Sequence, residues 1–201
     1  MKATKVAPRD RLLKAANELF YKEGIRSVGI NRVLEESQTP IMTLYRHFGS
    51  KDGLAAEYLK RRSEHFLEKF DSEVKRRTSS PRERILAAFD MLRELVDEPD
   101  YRGCAFINAT VEMASPDHEL TEIARHHKDA SRQWFAEFAA EAGVPDPEGL
   151  AIQLTLLVDG LFVASDLYRE SSGAAYARSA AETLIDAALA AGPNSGAGAA
   201  S

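Results

Sequence analysis

Residues 39–51 read Thr39-Pro-Ile-Met-Thr-Leu-Tyr-Arg-His-Phe-Gly-Ser-Lys51, and this stretch decides the fold. Thr39 before Pro40 reads as a helix N-cap with proline at the first helical position, where the missing N–H costs nothing. Leu44 and Phe48 lie four residues apart on one face and can anchor a short helix to a small core. Met42, Thr43 and Arg46 fall on another face, with Tyr45, His47 and Lys51 flanking it. Hydroxyls, a guanidinium and an ammonium are the groups that pair with phosphates and base edges. Taken singly, Tyr45 would be a packing residue, Arg46 and Lys51 solvated charges, and His47 an ordinary surface histidine. Together in one helix-turn-helix frame they read as a DNA recognition face.

The residues upstream complete the unit. Asn31 to Glu36 reads as a helix with Ile30, Val33 and Leu34 apolar, and a turn at Ser37-Gln38 leads to the Thr39 cap. The result is helix, tight turn, helix. Before it, Pro8 to Lys22 carries Leu12, Leu13, Ala16, Leu19 and Phe20 at helical spacing, with Gly24 as its C-terminal stop. Gly49-Ser50 ends the recognition helix, and Ser50 can cap a fourth helix that starts at Lys51-Asp52.

The run Leu12-Leu13-Lys-Ala15-Ala16-Asn-Glu-Leu19-Phe20, then Gly24, then Thr43-Leu44-Tyr45-Arg46-His47-Phe48-Gly-Ser-Lys51 closely resembles the N-terminal domain of the tetracycline-repressor (TetR) family. The resemblance implies that Thr43, Tyr45, His47 and Lys51 grip the DNA backbone. It also implies that Ile41, Met42 and Arg46 help to set operator sequence, and that Asn31 reaches a base from the second helix. Three positions depart from the family pattern. Gln38 stands where a turn glycine is usual, Gly29 where a capping Thr or Ser is common, and Met42 where a small residue is common. The first two loosen the turn and remove a hydroxyl–phosphate contact; Met42 offers apolar contact to a thymine methyl.

The net charge of −5 hides an asymmetry. Residues 1–62 hold 13 Lys/Arg against 7 Asp/Glu, whereas residues 63–201 hold 13 against 24. A basic head on an acidic body suits a molecule that presents only one end to DNA. The single cysteine, Cys104, excludes an intrachain disulfide framework and fits a reducing, cytoplasmic setting. No apolar stretch follows the early positive charges, so no signal peptide is expected. The longest apolar region, Leu150 to Leu167, is interrupted by Gln153, Asp159, Gly160 and Asp166, and is expected to be a buried or interface helix, with no membrane partner.

From Lys51 onward nearly every segment reads as helix, which gives an all-α protein of nine helices. Expected helices run from Lys51 to about Arg77, from a Ser80–Glu83 capping box with Pro81 to about Glu98, and from Cys104 to Met113. Three more follow, from Ser115-Pro116-Asp117 to near Gly143, from Asp146-Pro147-Glu148 to near Ser171, and from Ala174 to Ala191. The expected organisation is a helix-turn-helix domain over 1–50, a helical regulatory and dimerisation domain over 51–191, and a Gly/Ala/Ser-rich disordered tail over 192–201. No flexible linker separates residues 50 and 51, so the fourth helix is expected to couple head and body.

The last two helices are apolar over more than the 100° or so that one buried face requires. Leu154, Leu161 and Phe162, with Leu184 and Ala188, are therefore candidates for a homodimer interface. The alternative is full burial within one chain. The family resemblance implies a dimer that pairs these helices in a four-helix bundle, and a body cavity between helices four to eight for a small-molecule inducer. Leu92, Phe106, Asn108, Trp134, Phe138, Leu157 and Asp159 are the candidates to line it. Asp159 and Asn108 stay open between a structural hydrogen bond and a ligand contact, and the aromatics between core and pocket.

His118, His126 and His127 lack a metal-ligand spacing, and no phosphate loop, dinucleotide turn or nucleophile elbow is present. No metal, cofactor or catalytic role is expected. The expected function is a dimeric, cytoplasmic transcription regulator, a repressor released from double-stranded operator DNA by a small molecule. The alternative is a DNA-binding protein of the same fold with a structural or partner-binding role and no small ligand.

Overall fold

A computed structural model describes residues 6–168 and 172–192, so the tail expected from residue 192 lies outside the described residues from 193 onward. Among the described residues there are nine helices and no strand. They are α1 (Pro8–Glu23), α2 (Ile30–Ser37), α3 (Ile41–Phe48), α4 (Lys51–Arg77), α5 (Pro81–Val96), α6 (Ala105–Met113), α7 (Glu119–Glu141), α8 (Pro147–Tyr168) and α9 (Ser172–Ala190).

Local chemistry sets most of these ends. Pro8, Pro81 and Pro147 open α1, α5 and α8. Gly24 closes α1 at φ +93°, its N–H bonded to the Phe20 carbonyl. The Ser80 hydroxyl accepts from the Glu83 N–H, half of the expected capping box; the Glu83 carboxylate turns instead to Arg82. The Ser50 hydroxyl accepts from the Gly53 N–H at 3.0 Å and so caps α4.

Two of the starts that differ from expectation have a visible cause. The α3 cap falls on Pro40, whose carbonyl accepts the Thr43 N–H, and Thr39 does not cap: its buried hydroxyl meets that of Ser37 at 2.7 Å. The start of α7 shifts from Asp117 to Glu119 because His118 supplies the cap, its Nδ1 accepting the Leu120 N–H at 3.2 Å. A ring nitrogen there outcompetes the Ser115-Pro116-Asp117 signal that sequence alone favours.

The chain forms two compact units, residues 1–65 with 104–127, and residues 66–103 with 128–201. The first is built on the three-helix head. Its core joins Leu12, Ala16 and Phe20 of α1, Val33 of α2, Leu44 of α3, and Leu54 and Leu59 of α4. It also takes in Phe106 and Ala109 of α6 and Leu120 and Ile123 of α7. Sequence reading had assigned those last helices to the body. A carboxylate ties α6 to the α1–α2 loop: Glu112 accepts the Arg26 N–H at 2.7 Å, and its own carbonyl accepts Arg26 Nη1 at 2.9 Å.

The second unit packs α8 and α5 on α9. Ile85, Phe89 and Leu92 of α5, Leu154, Leu161 and Phe162 of α8, and Ala181 and Ile185 of α9 are buried there. Outside this core, Arg82 bridges α5 to Asp186 at 2.7 Å, and Arg178 returns from α9 to Asp90 at 3.1 Å. These rim pairs set register more than they add stability. The histidines do not gather: His127 stacks on Phe106 and bonds Ser63, His126 lies beside Glu122, and among the described residues no three metal-ligating side chains cluster.

Gly24 yields a stability prediction. A Cβ at this position would lie 3.0 Å from Glu112 Oε1, on a backbone at φ +93° that side chains rarely adopt. Gly24→Ala should therefore destabilise the chain by about 1–2 kcal/mol, measured as a lower urea midpoint with unchanged slope. An unchanged midpoint would show that the Glu112 tether is not part of the fold's stability.

Candidate nucleic-acid interface

The exposed face of α3 is apolar and basic at once. Leu44 is buried and Phe48 half-buried, so the helix is anchored on that side as its spacing predicts. Met42 and Tyr45 are 63% and 56% exposed, and Ile41 is exposed beside them. Three large apolar side chains left in water on an eight-residue helix mark a contact surface. Arg46 and His47 are exposed on the same helix, Thr43 and Lys51 are half-buried, and Asn31 is exposed in the first turn of α2. Arg46 forms no ion pair among the described residues, so its guanidinium is available to a base edge or phosphate.

Each flank of α3 is braced by other elements. Lys51 Nζ reaches the Arg26 carbonyl at 3.4 Å, a long contact that leaves the ammonium able to turn to a phosphate. At the C-terminal end the Arg9 guanidinium lies 5.4 Å over the Phe48 ring and donates to Glu57 at 2.6 Å. Burial raises the Glu57 carboxyl, but the bonds from Arg9 and Arg61 outweigh it and hold the group below the ordinary carboxylate range. At the N-terminal end, Gln38 takes the left-handed conformation at φ 52°, ψ 45° that a glycine would normally fill. Gly29 caps α2 with no side-chain bond, so the hydroxyl common there in the family is missing.

The seven candidate ligand residues divide between the units. Phe106 and Asn108 belong to the first, and Leu92, Trp134, Phe138, Leu157 and Asp159 to the second. Phe106 is packed in the head's core, stacked on His127 at 3.6 Å between centroids. Asn108 lines a small cleft with Tyr21, Tyr58, Ala109 and Glu112, about 10 Å³ in volume and suited to a single water. In the second unit Trp134 and Phe138 meet edge to face at 4.6 Å, with Leu92 buried and Leu157 half-buried. Trp134 Nε1 donates to Asp71 at 2.9 Å, and half-buried Phe70 sits 5.4 Å from the indole. Asp159 pairs with Lys128 of α7, whose ammonium also lies 5.4 Å from the Phe162 ring. The carboxylate thus has the neighbouring-helix partner that sequence reading left as one of its alternatives.

The dimer candidates differ in what the single chain leaves exposed. Leu154 is 0% exposed, and Leu161 and Phe162 are buried too, so these three hold the chain's own second core and have no area to offer a partner. Leu184 and Ala188 of α9 are half-buried. Among the residues α8 leaves exposed are Ile152, Leu156, Gly160, Val163 and Leu167, with Leu156 at 67% exposed. At 100° per residue these five fall within an arc of about 80°, with Leu154 and Leu161 on the opposite side. A helix that is apolar over more than one face gives no sequence signal of which of those faces its own chain covers. Spacing therefore does not single out this exposed ridge, or the exposed Tyr176 on α9.

Comparison with known proteins agrees with this geometry. The family description "Bacterial regulatory proteins, tetR family" matches residues 12–58, and "Tetracyclin repressor-like, C-terminal domain" matches residues 87–191. The chain belongs to the TetR family, and it is a DNA-binding transcriptional regulator of the helix-turn-helix type. It is similar to the HTH-type transcriptional regulator YjdC of Escherichia coli, 27% identical over 158 residues that cover 76% of this chain and 80% of that one. Among solved structures, SCO4454, a TetR-family transcriptional regulator from Streptomyces coelicolor, superposes with a TM-score of 0.85 at 28% identity, covering 90% of this chain and 96% of that one. The sav143 protein of Streptomyces avermitilis gives a TM-score of 0.80 at 31% identity, covering 90% and 98%.

Proposed function

We propose that this regulator is a cytoplasmic homodimeric repressor that places α3 of each subunit in the major groove of a palindromic operator and leaves it when a small molecule binds the helical body. The observation that carries the DNA half is the exposed Ile41, Met42 and Tyr45 beside an unpaired Arg46 on one short helix. Ile41, Met42 and Arg46 read bases; Thr43, Tyr45, His47 and Lys51 hold phosphates; Asn31 adds a contact from α2. Met42 supplies apolar contact to a thymine methyl. The exposed ridge of α8, with α9, pairs the two subunits.

The inducer half rests on family membership and on the aromatic group around Trp134. Because Asp159 is already matched by Lys128, the guest need not be a cation. A moderately hydrophobic molecule with one hydrogen-bonding group suits the candidate set of Leu92, Trp134, Phe138 and Leu157. Induction requires that it bind the non-DNA conformation more tightly than the DNA-bound one.

The test is a thermal-shift screen followed by operator titration. A true inducer at 100 times its dissociation constant should stabilise the protein by about 2.7 kcal/mol and weaken operator binding by its differential affinity. Compounds that stabilise the protein and leave operator affinity unchanged would contradict release by ligand and favour a regulator without a small-molecule signal. No catalytic step is assigned to any residue.

A further inference from the structure

The turn that delivers α3 closes in an unusual way. Thr39 N–H bonds the Leu34 carbonyl and Gln38 N–H bonds the Glu35 carbonyl, the paired closure that normally puts glycine at the left-handed position. Here Gln38 occupies it, and a side chain at that conformation is strained. Two polar devices offset the strain. One is the buried hydroxyl pair: Ser37 Oγ donates to the Leu34 carbonyl at 3.1 Å and lies 2.7 Å from Thr39 Oγ1. The other comes from α1, where Arg11 Nη2 donates to the Gln38 carbonyl at 3.1 Å, 27 residues away in sequence.

Arg11 holds this pose at a cost. Its Nε is buried with no hydrogen-bond partner among the described residues, and a buried unsatisfied donor destabilises unless the rest of the group gains elsewhere. The gain visible in the structure is the turn carbonyl. We infer that Arg11 is a positioning residue for operator recognition: through the Gln38 carbonyl it holds a non-glycine turn in shape, and so sets the angle at which α3 enters the groove. The inference rests on α3 being the element that reads DNA. Phosphate contacts alone would make Arg11 matter equally for every duplex. A positioning role makes it matter for the correct duplex more than for others, because base-edge bonds need alignment and phosphate attraction does not.

The experiment measures affinity for a duplex selected in vitro from a random library and for a random-sequence duplex, at one salt concentration. Its readout is the ratio of the two. Arg11→Met should lower that ratio about tenfold, and Arg11→Lys, which keeps the charge and one donor, should recover part of it. In a Gln38→Gly background, where glycine holds the turn unaided, Arg11→Met should change the ratio less than about threefold. If Arg11→Met fails to fold, Arg11→Lys and Arg11→Lys with Gln38→Gly are compared in the same way. An unchanged ratio in the native background, or an equal fall in both backgrounds, would overturn the inference. Arg46→Ala is the control: if it too leaves the ratio unchanged, the failure lies with α3 as reader and not with Arg11.

Discussion

Leu156→Arg is expected to convert the protein from dimer to monomer at micromolar concentration and to weaken operator binding by about 100-fold or more. Leu156 projects from the α8 ridge with Ile152, Val163 and Leu167, all exposed in the single chain. A dimer built on this ridge and α9 should bury about 2,000 Å² or more. A guanidinium at its centre would be desolvated without a partner, which such an interface does not tolerate. Operator binding should fall with it, since each half-site holds only one head and tethering supplies the rest of the affinity. The variant should keep its helicity, because Leu156 contributes little to the chain's own core. That distinguishes it from a charge at Leu161, which is buried and would unfold the second unit rather than split a dimer. Sedimentation and circular dichroism decide the matter together. A Leu156→Arg protein that remains a tight dimer would rule out the ridge.

Arg46→Ala should cost about 1–3 kcal/mol on the selected operator, a loss of five- to 150-fold, and should relax preference at one base position. Lys51→Ala should act differently. Lys51 is half-buried, with its ammonium against the Arg26 carbonyl; if it holds a phosphate as proposed, removal should weaken binding to all duplexes alike and lower the salt slope by about one. Titrations across several salt concentrations separate the two. If both variants bind operator as tightly as the parent, α3 does not read the DNA.

The head was legible because every level of its chemistry agrees. Leu44 and Phe48 anchor α3, Gly24, Gly49 and Ser50 punctuate it, and the basic residues share a helix, so propensity, periodicity and charge all point to one arrangement. The small misses there came from local competition. Thr39 looked like a cap, yet its hydroxyl is committed to Ser37, and Pro40 serves instead. His118 capped α7 where Ser115-Pro116-Asp117 was expected to start it.

The body was legible as helices and not as faces. α8 is apolar over more than one face, so spacing could not tell Leu154, which the chain buries, from Leu156, which it exposes. The packing partner of α6 was not legible for a related reason. Ala105, Phe106 and Ala109 advertise a buried face, but the partner of that face is fixed only by the tertiary fold, which sets it in the head's core. Long-range polar contacts were beyond reach altogether. Arg11 to the Gln38 carbonyl, Arg26 to Glu112 and Asp159 to Lys128 join residues whose proximity no local pattern encodes.

The central claim is that two copies of one head, related by two-fold symmetry, read DNA through α3. Selection of bound duplexes from a random library tests it most directly, because the enriched sequence records the symmetry of the reader. The account predicts an inverted repeat whose half-sites lie about one helical turn apart, roughly 34–36 Å between centres. Enrichment of a single asymmetric site, or of no sequence at all, would contradict it.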